Sequence, residues 1–256
     1  MVTTGFPWSP ATKTEIVDLE NGKSCSRDIE DFPVEILGAV GTNLQGTPVV
    51  CGGYSSSGEP QKVCYGYGYK DYGYGSYGYG WQEYSSLKEE RRYAAGVVNK
   101  NNWHVFGGVR GLELQKTSEI VYSGYGLNAP GAVKDGPALP TAVQKHAITS
   151  INQTVSILSG GTTLANSASS KTFYYNHDTE IFTSGPTLLE GRRLHGSATI
   201  EDKVTKAKIP VVTGGWKGEL SAFETIDSTE LLINGRWQKG NISCKTKKLD
   251  SLCSCV

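Results

Sequence analysis

Four hydrophobic runs end in a glycine pair: PVVCGG (48–53), WHVFGG (103–108), VSILSGG (155–161) and PVVTGG (210–215). Their second glycines, Gly53, Gly108, Gly161 and Gly215, are separated by 108 − 53 = 55, 161 − 108 = 53 and 215 − 161 = 54 residues. A weaker copy, MVTTG, places Gly5 at 53 − 5 = 48 residues upstream. A steady period of this size is the mark of a repeat architecture.

The segments around each glycine pair recur in a fixed order. Ahead of it lies a small, alternating apolar segment: EILGAVG (35–41), RRYAAGVV (91–98), KHAITSI (145–151) and RRLHGSATI (192–200). Beyond it, past a polar loop, comes a β-rich segment: TEIVDL (14–19), KVCYGY (62–67), SEIVY (118–122), KTFYYN (171–176) and STELLI (228–233). A last segment reads WQEY (81–84), TEIFTSGP (179–186) or RWQKG (236–240). Runs of β-branched and aromatic residues bounded by Gly, Asn, Ser and Pro predict strands, four per repeat, with no helical periodicity.

An apolar strand closing on Gly-Gly, an aromatic or charged strand and a Trp-bearing strand together resemble the kelch-repeat β-propeller family, over nearly the whole chain to about Gly240. The resemblance implies an all-β, kelch-type β-propeller over 1–240 and a Cys/Lys-containing tail over 241–256. Four complete four-stranded blades and one partial N-terminal blade are expected. Family members usually close six or seven blades with both chain ends, so this chain reads as an incomplete or five/six-bladed ring. Small residues such as Ala94, Ala95, Gly96, Gly196 and Ser197 are expected on crowded inner strands. Trp81 and Trp237 are expected in the core between blades.

Inside one repeat sits YGYGYKDYGYGSYGYGW (65–81), which holds seven of the fourteen tyrosines. It falls between the third and fourth strand signals as a Gly/Tyr-rich insertion at 66–80. Its tyrosine alternation shifts at Lys70-Asp71 and again at Ser76, so no single strand keeps all rings on one side. The expectation is a short continuation of the third strand and then a mobile loop. Tyr69, Tyr72, Tyr74, Tyr77 and Tyr79 are its candidate contacts, because tyrosine offers large amphipathic surfaces to a partner; a repeat expansion without a role is the other reading. Arg91, Arg92, Arg192 and Arg193, at the lead-in to two blades, read either as solvated ion pairs with neighbouring Glu residues or as a basic rim for an acidic peptide.

Six cysteines bear on the compartment. Cys51 and Cys64 flank a loop symmetrically and should face each other across a hairpin, as a disulfide or as two packed thiols. Cys25, Cys244, Cys253 and Cys255 have no partner assignable from sequence. Asn152 and Asn241 head glycosylation sequons. The ending Cys253-Ser-Cys-Val only superficially resembles a prenylation signal, since its middle residues are not aliphatic. MVTTGFPWSP lacks the layout of a secretory signal, so an extracellular chain is expected to have lost its leader; the alternative location is cytoplasmic.

With 25 basic and 25 acidic residues the chain has no field to draw it to nucleic acid or an anionic membrane, and no apolar run is long enough for a span. No catalytic constellation emerges and no cofactor or metal is expected. His146 and His195 occupy comparable places in successive repeats and read as structural rather than as a metal pair. The leading expectation is a non-enzymatic, extracellular scaffold recognising protein or glycan. The alternatives are an intracellular kelch substrate-recognition module and a galactose-oxidase-like, metal-dependent propeller enzyme, although no extended match to that copper site is present. Oligomeric state has no signature in the sequence.

Overall fold

A computed structural model describes residues 2–3, 11–16, 29–124, 131–219 and 222–243. All regular structure among them is β-strand, and its main content is four antiparallel sheets of four strands each. Sheet I comprises Val40–Leu44, Thr47–Cys51, Val63–Gly73 and Ser76–Ser86. Sheet II comprises Ala95–Asn99, Asn102–Phe106, Ser118–Tyr122 and Val133–Asp135. Sheet III comprises Ala147–Ser150, Val155–Ser159, Thr172–Asn176 and Ile181–Ser184. Sheet IV comprises Gly196–Glu201, Lys208–Thr213, Ser228–Ile233 and Arg236–Ser243. In each, spatial order follows chain order, as the repeat predicts. The last strand carries regular structure to Ser243, past the expected boundary at 240.

Of the partial N-terminal unit, Val2–Thr3 pairs with Thr14–Glu15, and the end of TEIVDL, 17–19, lies outside the described residues. Cys25, Cys244, Cys253, Cys255 and the C-terminal motif lie outside the described residues.

The glycine pairs explain the repeat physically. All eight glycines have positive φ, from 60° to 94°, a region that a Cβ disfavours. The second glycine donates its N–H to the carbonyl just ahead of the next sheet: Gly53 to Arg91 at 2.8 Å, Gly108 to Val143 at 2.9 Å, Gly161 to Arg192 at 2.8 Å. A Cβ on Gly160 would run into that same Arg192 carbonyl. The motif is thus a backbone fastener between consecutive repeats.

The chain forms two compact units: Met1–Val105 with Val109–Glu113 and Ser118–Gly136, and Phe106–Gly108 with Leu114–Thr117 and Pro137–Val256. In the first unit the first strands of sheets I and II lie side by side, and the Tyr93 N–H donates to the Gly38 carbonyl at 2.7 Å. In the second the first strands of sheets III and IV do the same, and the Leu194 N–H donates to the Lys145 carbonyl at 2.9 Å. Gly96 is small for a local reason: a Cβ there would strike the Trp103 indole, which lies across it. Trp103 is fully buried among Val40, Leu44, Val49, Cys51, Cys64 and Val105. Trp81 and Trp237 are buried as expected, and the Trp237 Nε1–H donates to the Pro186 carbonyl at 3.0 Å.

Cys51 and Cys64 are directly opposite, 4.0 Å apart at Cα, and form a disulfide. The Gly52 N–H reaches the Val63 carbonyl at 3.3 Å. Cys51–Cys64 is therefore a non-hydrogen-bonded pair, the closer of the two antiparallel arrangements.

Candidate functional site: a tyrosine hairpin

The Gly/Tyr insertion is ordered strand, not the mobile loop its sequence suggests. The third and fourth strands of sheet I each run for 11 residues, joined by Tyr74 and Gly75. Both turn residues have positive φ, 52° and 77°, the geometry whose twist matches a two-residue hairpin. The shift in alternation that rules out one strand is resolved by two. Because the chain doubles back, Tyr67 pairs with Trp81, Tyr69 with Tyr79 and Asp71 with Tyr77. Directly paired residues share a face, so Tyr67, Tyr69, Tyr77, Tyr79 and Trp81 converge on one side of the hairpin.

The other face is nearly bare, and its glycines leave room for a clasp. Gly66, Gly68, Gly78 and Gly80 occupy it with Lys70 and Gln82. Tyr72 lies across Gly78, and a Cβ on Gly80 would strike both the Tyr72 hydroxyl and the Glu30 carboxylate. Glu30 accepts the Trp81 N–H at 2.8 Å; the Lys70 ammonium donates to the Trp81 carbonyl at 2.8 Å, and the Tyr72 hydroxyl to the Tyr79 carbonyl at 3.2 Å. These backbone groups face away from the third strand, along the outer edge of the sheet. Side chains thereby cover an edge that would otherwise offer unpaired backbone groups to another strand.

On the aromatic face the rings form a continuous ladder. Centroids step from Trp81 to Tyr67 at 5.3 Å, from Tyr67 to Tyr79 at 6.5 Å, and from Tyr79 through Tyr69 to Tyr77 at 5.8 Å each. The Tyr69 and Tyr77 rings are parallel within 5°. The inner end is core: Phe32 packs edge-on against Trp81 and Tyr65 at 4.8 and 5.2 Å. Burial, followed by the nearby Glu83 and Glu30 carboxylates respectively, raises the Tyr65 and Tyr67 phenols above their ordinary pKa. The outer end is open: Tyr69, Tyr77 and Tyr79 are 59%, 57% and 68% exposed, and Tyr74 stands free at the turn. Tyr72 is half exposed on the opposite face.

The arginines do not form a rim. Arg91, Arg192 and Arg193 are buried. The Arg91 Nη2 lies 2.7 Å from Glu119, which also accepts the Lys88 and Glu89 N–H groups. Arg192 repeats this with Glu230 at 2.7 Å, and Glu230 accepts the Leu189 and Glu190 N–H groups. Arg92 donates to the Gly111 carbonyl at 3.1 Å and lies over the Tyr54 ring, while Arg193 donates to the Gly218 and Glu219 carbonyls. The expected ion pairs with neighbouring glutamates do form, Arg91 to Glu89 at 3.2 Å and Arg192 to Glu190 at 4.0 Å, but with the guanidinium buried rather than solvated, so these arginines fasten loops instead of lining a peptide-binding rim. The sequence hid this because Glu119 and Glu230 lie in third strands 28 and 38 residues from their arginines.

His146 and His195 are buried, and burial pushes both imidazoles down to about 3. The His195 Nε2 shares a hydrogen bond with the Ser159 hydroxyl at 2.9 Å, and the His177 Nε2 shares one with Ser156 at 2.7 Å. All four side chains are buried; the Ser156–His177 pair lies within sheet III, and the Ser159–His195 pair ties it to the lead-in of sheet IV. Among the described residues no group of three or more His, Cys, Asp and Glu side chains is placed to hold a metal ion. Asn152 is exposed in the turn between the first two strands of sheet III, where its Oδ1 accepts the Thr154 and Val155 N–H groups. Asn241 lies in the last strand of sheet IV.

Glu30, Lys70, Tyr67 and Trp81 are the contributors that a residue-by-residue reading misses. The available signal was the Tyr-Gly alternation in both arms, which gives one aromatic and one glycine face once the arms are paired about Tyr74-Gly75. No family model matches the chain, and no curated protein matches it.

Proposed function

We propose that this chain is a kelch-like β-propeller working outside the cell as a non-enzymatic binding scaffold, and that it engages a protein or glycan through the tyrosine hairpin of sheet I. The observation that carries the reading is the open end of the ring ladder, where Tyr69, Tyr77 and Tyr79 are exposed together on paired strands with Tyr74 exposed at their turn. Solvated aromatic surface held rigid in this way is a recurrent basis of recognition, because little side-chain freedom is lost on contact. The propeller assignment draws on the four repeats, the four sheets in chain order and the glycine fasteners between them. A disulfide between Cys51 and Cys64 favours an oxidising compartment, and no helix among the described residues is long and apolar enough to cross a membrane.

The test is retention of the full chain, produced through a secretory pathway and fluorescently labelled, on extracellular-matrix and cell-surface preparations. Wild type is expected to be retained and a Tyr69→Ser/Tyr77→Ser/Tyr79→Ser variant to wash off. Equal retention would remove the hairpin from the function. Substrate turnover that follows stoichiometric copper or zinc would replace the scaffold by an enzyme.

A further inference from the structure

The chemistry of the ladder narrows the occupant. We infer that the open end of the hairpin binds a neutral, linear oligosaccharide, its pyranose rings packing on Tyr69, Tyr77 and Tyr79 and its hydroxyls bonding to Asp71. This rests on the hairpin being the contact surface, and specifies what it contacts.

Four observations favour a sugar over a protein partner. First, the paired positions on the ring face of the hairpin are tyrosine, tryptophan, aspartate and glutamate, and no aliphatic side chain shares that face. A protein hot spot needs a dry cavity for its anchor, whereas a sugar ring needs only an aromatic surface for its C–H face. Second, every exposed ring ends in a hydroxyl, so the patch stays hydrated at its rim and suits a ligand that is apolar on one side and polar at its edges.

Third, the flanking groups on this face accept hydrogen bonds. Asp71 is paired directly with Tyr77, one rung beyond Tyr69 and Tyr79, and Glu83 lies past Trp81 at the other end. One Asp71 oxygen is engaged by the Gly73 N–H at 2.8 Å; the side chain is otherwise exposed, so its second oxygen faces solvent. Lys70 is on the opposite face, bonded to the Trp81 carbonyl and 3.8 Å from Glu30. Carboxylates beside aromatic rings, with the lysine held away, favour hydroxyl donors and repel carboxylated or sulfated glycans. Fourth, successive same-face positions along a strand recur every ~6.8 Å, which sets the exposed rings out along a line rather than at one point. The rungs Tyr69–Tyr79 and Asp71–Tyr77 therefore offer an elongated surface that suits a linear ligand better than a single sugar.

The clasp on the reverse face gives the track its stiffness. Tyr72, Lys70 and Glu30 tie the outer strand down from behind, so binding does not have to order the ladder.

The experiment is titration of the full chain, followed by tyrosine chemical shifts and by calorimetry, with cellohexaose, chitohexaose and mannohexaose. Heparin hexasaccharide and a ten-residue polyproline peptide serve as acidic and protein-like competitors. At least one neutral hexasaccharide is expected to bind saturably, with shifts confined to the hairpin. Tyr69→Ala/Tyr79→Ala should weaken it tenfold or more without lowering Tm appreciably, and Leu112→Ala, at an exposed loop, should leave it unchanged. Because Asp71→Asn keeps the oxygen that holds the turn, its effect on affinity isolates the acceptor; a loss of severalfold is expected. Preferential binding of heparin or polyproline, or neutral binding that survives the double tyrosine variant, overturns the inference. If no hexasaccharide binds while the triple serine variant still abolishes retention on matrix, the glycan assignment falls and the scaffold reading stands.

Discussion

The Arg192 guanidinium lies 2.7 Å from the Glu230 carboxylate with both side chains buried, and Arg91 and Glu119 reproduce the arrangement in the other compact unit. Sheet III lacks both members: Val143 stands where the arginines do, its carbonyl receiving the Gly108 N–H, and Phe173 stands at the Glu230 position, opposite Leu158 as Glu230 is opposite Val212. The pair has been exchanged there as a unit. Glu230→Gln alone should then cost about 3–5 kcal/mol, because it strands a buried guanidinium. Arg192→Val/Glu230→Phe, which copies sheet III, should cost much less than the sum of its single changes. Urea denaturation of the four proteins of the cycle measures this, and additivity would show that the two residues do not act as a pair.

Gly80 keeps its backbone in ordinary extended geometry, so its importance lies in space rather than in φ. Gly80→Ala places a methyl group where Glu30 and Tyr72 reach across the strand. Glu30 must withdraw and leave the Trp81 N–H without its acceptor, at a cost of about 1–2 kcal/mol. The same change in a Glu30→Ala background should cost roughly half as much, since part of the interaction is already gone. Thermal unfolding decides, and equal losses in both backgrounds would detach Glu30 from the effect.

Strand number, strand order and the positions of sheets I to IV were legible because each is encoded locally, by alternation and by a glycine pair needing positive φ. The hairpin was not. Its alternation has no meaning along one strand and acquires it only from the pairing of two, and Gly/Tyr composition disguises 11-residue strands as a loop. Burial of the arginines escaped for a related reason: Glu89 and Glu190 stand beside them in sequence, but the partners that bury them, Glu119 and Glu230, are distant. Cys51 and Cys64 were legible because their symmetry about a short loop is itself a statement of register.

The Cys51–Cys64 bridge closes a short loop, with a sequence separation of 13, and both residues are fully buried. Restricting a loop of that length in the unfolded chain is worth about 3 kcal/mol in the chain-entropy account. Cys51→Ala/Cys64→Ala should lower stability by that order and leave the strand signature of the folded protein intact. Circular dichroism with urea titration, compared with reduced wild type, is the check. An unchanged midpoint would mean that the two thiols are not bonded in the folded protein.

Acid should weaken the fold before its carboxylates are protonated. His146 and His195 are held neutral by burial, their pKa pushed down to about 3, with Arg192 and His146 adding to the effect on His195. Free in the unfolded chain, each titrates near its ordinary value of about 6.5. Above that pH neither state binds the proton and the histidines contribute nothing. As pH falls from about 6.5 towards 3 the unfolded state takes up protons that the folded state refuses, so stability drops by ~1.4 kcal/mol per pH unit per histidine, levelling off below the folded pKa. The shift of Glu190 is downward as well, and its loss adds at lower pH. The diagnostic window is therefore pH 6.5 to 5, above the carboxylate range. His146→Gln/His195→Gln should flatten the dependence of Tm on pH there, even if it lowers Tm at neutral pH. A slope as steep as wild type would place the acid-sensitive groups elsewhere.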